Sequence, residues 1–111
     1  MIKNILSAFI LLSSANLFAN DIMISSAKES LKSKLKDPYS VVFENIFMSK
    51  GANGSDVVCG EFNAKNGYGG YVGNKKFFYI ETGGDPIIEI EGSSVISGDL
   101  YDALCNTKTV N

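Results

Sequence analysis

Apolar residues recur at Ile24, Ala27, Leu31 and Leu35, with Lys28, Lys32, Lys34 and Lys36 between or beside them. That spacing gathers the apolar positions on one side of a helix. The pattern predicts an amphipathic helix over roughly 21–36. Asp37-Pro38 ends it, because the residue before proline is pushed out of the helical region. The late lysines suit the negative end of the helix dipole, and the basic side reads as a solvated face.

Beyond the proline the period changes. Val41 to Ser49 is rich in β-branched and aromatic residues and predicts a strand. Residues 50–56 have the composition of a loop. Val57 to Ala64 predicts a second strand, with Val58, Gly60 and Phe62 on one side and Val57, Cys59 and Glu61 on the other. Tyr68 to Gly73 reads as a short third strand or as part of a loop. Lys75 to Thr82 predicts a further strand, and Gly83-Gly84-Asp85-Pro86 a turn. Ile87 to Glu91 reads as a last, weaker strand with Ile88 and Ile90 inward. Ser97 fits an N-cap and Asp99 the first turn of a short helix. Leu100, Ala103 and Leu104 would form its apolar side. The order predicts one small α+β domain: an N-terminal helix, an antiparallel meander of three to five strands and a short C-terminal helix, with the helices on one face of the sheet.

The first nineteen residues belong to a different pattern. Lys3 is followed by an apolar run from Ile5 to Leu12, then by small and polar residues and Leu17-Phe18-Ala19. This is the form of a secretory signal peptide, cut after Ala19, and the apolar run is too short for a membrane span. The mature chain is then 20–111, periplasmic or secreted, with no stable membrane insertion after cleavage.

All ten cations of the 111-residue chain are lysine, and histidine and tryptophan are absent. Nine lysines against twelve acids leave the mature chain at −3. Mild acidity without arginine argues against nucleic acid, which asks for a clustered cationic face. Cys59 and Cys105 are the two cysteines. In an exported chain an isolated pair reads as a disulfide.

Two stretches resemble a known set of proteins. LKDPYSVVFENIF and VCGEFNAKNGYGGYVGNKKFFYI, followed by a late cysteine, are similar to small exported bacterial proteins. Their outline is LxDPxSxxFxN, then CGxxNxKNxxGGYxGxxxF, then a C-terminal Cys. The resemblance spans Leu35 to Cys105. It implies export, the same fold class and the disulfide, and it supplies no catalytic residue.

The residue inventory narrows the chemistry. Without histidine, a Ser-His-Asp or Cys-His centre is excluded within one chain. Two cysteines alone do not make a standard zinc site. The glycines do not fit the phosphate-loop template, since none is followed by Lys-Ser or Lys-Thr, nor the dinucleotide template, since Val72 stands where the last glycine would be. Carboxylates are the remaining catalytic option. Glu89 and Glu91 would share a strand face and could act as a pair in a small hydrolase, but alternating acids are usually the wet side of a sheet. Asp85 and Glu89 would suit calcium, without an ordered ligand loop around them. No cofactor is expected.

The stretch NAKNGYGGYVGNKKF, Asn63 to Phe77, carries the most information. Asn66-Gly67 and Gly73-Asn74 are turn dipeptides. The same residues would present two tyrosines, several amides and two lysines for recognition. Asn63, Lys65, Asn66, Tyr68, Tyr71, Lys75 and Lys76 are the candidate binding residues. The expectation is a non-enzymatic module, inhibitor- or immunity-like, that binds a protein of the cell envelope. The alternative is a carbohydrate- or peptidoglycan-binding domain.

Overall fold

The computed structural model describes residues 18–92 and 98–106. The signal-peptide segment before Phe18 and the N-cap expected at Ser97 lie outside them. The first helix, α1, covers 18–32 in this range. Met23, Ala27 and Leu31 are its buried residues, and Ile24 packs at the margin. The helix stops sooner than the proline alone would require. Ser33 donates its hydroxyl hydrogen to the Ser30 carbonyl at 2.6 Å, a local bond that competes with helix propagation. The next amides, of Lys34 and Leu35, reach back only three residues, to Leu31 and Lys32, and so tighten the last turn. Proline then seeds a short 3-10 turn at Pro38–Ser40.

Four antiparallel strands follow: β1 Val42–Lys50, β2 Asp56–Asn63, β3 Lys75–Ile80 and β4 Ile87–Ile90. Their spatial order is their chain order, a simple meander. Residues 68–73 form no strand in this sheet. Between Glu44 and Phe47 the β1–β2 register shifts, so that Asn45 and Ile46 stand opposite Gly60 alone. This is a β-bulge. Asn45 absorbs it with a φ of 54°, a conformation asparagine tolerates better than most residues. Its amide also donates to the Glu61 carboxylate at 2.8 Å.

Both faces of the sheet are covered. On one, Met48, Val58 and Tyr79 pack on Met23 and Ala27 of α1, while Phe62 and Phe77 pack on Leu31. Phe77 meets Phe43 and Phe62 edge to face. On the other, Val57, Cys59 and Phe78 pack on α2, Gly98–Cys105. The helices therefore lie on opposite faces and not on one. The strand period of two dictates this. Val58 and Phe62 point to α1, so Cys59 between them points away, and the Cys59–Cys105 disulfide draws α2 to the far side. The same bond sets the rotation of α2. Tyr101, Leu104 and Cys105 face the sheet, whereas Leu100 and Ala103 are exposed, contrary to the sequence pattern. Buried Ser49 donates to the Leu104 carbonyl at 2.8 Å and satisfies one acceptor in the last turn of α2. Among the described residues, no helix is long and apolar enough to cross a membrane.

Candidate binding surface

The Gly/Tyr stretch connects β2 to β3, and its shape is set by two asparagines and a serine. The Asn66 side-chain oxygen accepts the amides of Tyr68 (2.9 Å) and Gly70 (3.2 Å). The Asn66 backbone closes the same turn, donating to the Gly70 carbonyl at 2.9 Å and accepting from Gly69 at 3.1 Å. Such Asx contacts let a short polar side chain replace a missing backbone partner. Gly69 sits inside with a φ of 85°, which only glycine takes without strain. Lys65 and Tyr71 then pair as an isolated bridge, and the Asn63 side chain accepts the Gly73 amide at 3.1 Å.

Ser40 ties this loop to the turn after α1. Its hydroxyl donates to the Asp37 carbonyl at 2.8 Å and accepts the Lys65 amide at 2.9 Å. Its carbonyl accepts the Tyr71 hydroxyl at 2.9 Å. The Lys65 ammonium lies 5.6 Å from the Tyr71 ring centroid, in the range of a cation–π contact. Asn74 adds a bond to Glu44 of β1 at 2.9 Å.

This network leaves particular side chains outside it. Tyr68 and Tyr39 are each 99% exposed, and Tyr71 is 51% exposed with Val72 beside it at 52%. Tyr39 belongs to the Pro38–Ser40 turn, and so reaches the surface next to the residue that holds Tyr71. An open cleft of about 610 Å³ runs from Tyr39 along α1, lined by Lys28, Lys32, Val41 and Phe43 among others. Lys28 stands 5.4 Å from the Phe43 ring centroid, and Lys32 pairs with Glu29 at 3.4 Å.

The seven candidate residues thus divide. Asn63 and Asn66 spend their side-chain oxygens on the loop itself. Lys65 and Tyr71 are joined to each other and to Ser40, and Tyr68 stands wholly in solvent. Lys75 and Lys76 point to opposite faces, since they are adjacent in β3; Lys75 pairs with Phe62, and Lys76 lies 5.1 Å from the Tyr101 ring centroid beside α2. Tyr39 and the Lys28–Phe43 cleft were not singled out by sequence reasoning. A tyrosine directly after a helix-ending proline is the signal that points to it, since a turn exposes what it carries.

Glu89 and Glu91 fall on the same side of the sheet, as the strand period requires. Glu89 is half-buried in β4, and Glu91 follows it in solvent. Among the described residues, no group of three or more acids or cysteines is placed to hold a metal ion. Comparison with protein-family models, with curated proteins and with solved structures returns no match. What the surface offers is contact: exposed rings, amide groups and lysines on a hydrogen-bonded scaffold.

Proposed function

We propose that this protein is an exported, non-enzymatic interaction module that binds a protein of the cell envelope through Tyr39, Tyr68 and Tyr71. The observation that carries this reading is the pair of fully exposed tyrosines on backbone pinned by hydrogen bonds. Tyrosine offers a large amphipathic contact area with few rotors to freeze. A loop ordered before binding costs less entropy when it docks. Export is supported by the charged start and apolar run of the N-terminus and by the disulfide, which is at home in oxidising compartments.

The test is affinity capture from envelope extract on the oxidised chain, beside a Tyr39→Ala, Tyr68→Ala double variant. Neither ring is packed, so the variant should keep the parent melting temperature. The expected result is a protein held by the parent and lost by the variant, with the same difference when that protein is purified and titrated. Equal retention by both baits would refute the reading. Retention on peptidoglycan alone, abolished by the same substitutions, would replace it with the carbohydrate-binding alternative.

A further inference from the structure

A second surface lies away from the tyrosines, at the outer edge of β4. The Glu91 amide donates to the Lys76 carbonyl at 2.9 Å. That bond fixes the phase of the β3–β4 ladder, in which paired and outward positions alternate. Ile87 and Glu89 turn their backbone groups to β3; Ile88 and Ile90 turn theirs outward. Among the described residues, no strand pairs with this edge.

The edge borders a groove and carries charge. Between β4 and the end of α1 runs an open groove of about 430 Å³, lined by Ser30 of α1, by Ser33 and Lys34 just after it, and by Pro86, Ile87, Ile88 and Glu89. Ile88 and Ile90 stand opposite Tyr79 and Phe77, so their side chains share the α1 face. Glu89 stands opposite Phe78, on the α2 face, and Glu91 follows at the same phase. Glu91 makes itself felt there: the Tyr101 phenol is pushed up first by burial, then by the charges of Glu61, Asp102 and Glu91. Among the described residues Lys76 is the cation on that side, over Tyr101 and opposite Glu91 on the neighbouring strand. The edge is apolar toward α1 and acidic toward α2.

We propose that the edge of β4 takes an extended segment of a partner polypeptide as a fifth strand, with alternating apolar and basic side chains. The backbone of Ile88 and Ile90 supplies the hydrogen bonds, and their side chains on the α1 face meet the apolar side chains of the added strand. Lysine or arginine on the other side of the added strand meets Glu91, which is exposed on the α2 side. Charge also selects against a second copy of this chain. Antiparallel pairing centred on Glu89 would set that acid against itself, which is how edge strands commonly avoid self-association.

The experiment uses the oxidised chain and a fluorescent heptapeptide of alternating valine and lysine. Two control peptides replace lysine by glutamate or carry N-methyl groups along one edge. The expected result is saturable binding of the valine–lysine peptide, roughly tenfold or more weaker for either control. Amide shifts should fall on Ile88 and Ile90. Glu91→Lys should weaken binding, and the Tyr39→Ala, Tyr68→Ala variant should bind as the parent does, which separates this site from the tyrosine surface. Equal binding of the N-methylated peptide would show charge attraction without strand addition. That result, shifts confined elsewhere, or no saturation by about 1 mM peptide would overturn the proposal.

Discussion

The side chain of Ile46 lies over the backbone of Gly60, where the β1 bulge faces β2. A Cβ placed on Gly60 would collide with Ile46 Cδ1 and stand 3.3 Å from both Ile46 Cα and Phe77 Cε1. The isoleucine tip can swing aside, but the bulge backbone and the buried ring have less room to give. Gly60→Ala is therefore expected to destabilise the fold by about 1–3 kcal/mol through overpacking. Propensity alone predicts the opposite sign, since alanine normally outranks glycine inside a strand. Urea unfolding decides between them, and an unchanged or higher midpoint would reject the packing argument.

The Cys59–Cys105 bond joins residues 46 apart and is buried between β2 and α2. Closing a loop of that length is worth roughly 4 kcal/mol on the chain-entropy estimate. A Cys59→Ser, Cys105→Ser variant should lose a stability of that order and release α2 first. Hydrogen exchange would report early deprotection at Tyr101 to Leu104. A loss under about 1 kcal/mol would mean that the α2 layer is held by packing alone.

Gly69 and Gly70 are neighbours in the tyrosine loop with different requirements. A Cβ on either meets nothing within 4 Å. Only Gly69 has a positive φ, 85°. Gly69→Ala should cost about 1 kcal/mol from backbone strain, whereas Gly70→Ala should be neutral or slightly stabilising. Paired melting curves of the two variants provide the comparison. Equal effects would show that the Asn66-anchored turn does not persist in solution.

Tyr79 gives a pH dependence. Burial first, then the charge of Glu81 and the bond its hydroxyl donates to Glu81 at 3.3 Å, push its phenol above the ordinary 10.0. A raised value means that the fold favours the protonated form. The resulting stability is complete below the unfolded value near 10 and is lost as pH climbs through the folded one. Unfolding midpoints should therefore fall above about pH 10. Tyr79→Phe should reduce that slope, leaving the share of Tyr101, whose phenol burial also raises. An alkaline slope unaltered by Tyr79→Phe would place its cause elsewhere.

Much of the architecture is legible in the chain because it follows from periodicity. The β-branched and aromatic runs delimit β1 to β4 within a residue or two, and the isolated cysteine pair is joined as expected. Side and rotation are harder to see. Placing both helices on one face overlooked that Cys59 alternates with Val58 and Phe62, a relation visible in the strand but decisive only once α1 claims a face. The α2 pattern misleads for a related reason: a covalent anchor at Cys105 outweighs the weak apolar signal of Leu100 and Ala103. In the loop, the glycines and asparagines announce a turn. Which side chains close it depends on Ser40, more than twenty residues away, and no local pattern encodes that contact.

The disulfide also partitions the molecule topologically. Its covalent ring, from Cys59 to Cys105, contains β3, β4, α2 and the tyrosine loop, while α1, Tyr39 and β1 lie upstream of it. Tension applied through the N-terminus would peel away α1 and then β1 without loading the sulfur bond. Tyr39 would leave with the peeled segment, while Tyr68 and Tyr71 would stay within the ring. A pull from that end could thus take the proposed tyrosine surface apart while the ring itself stays closed.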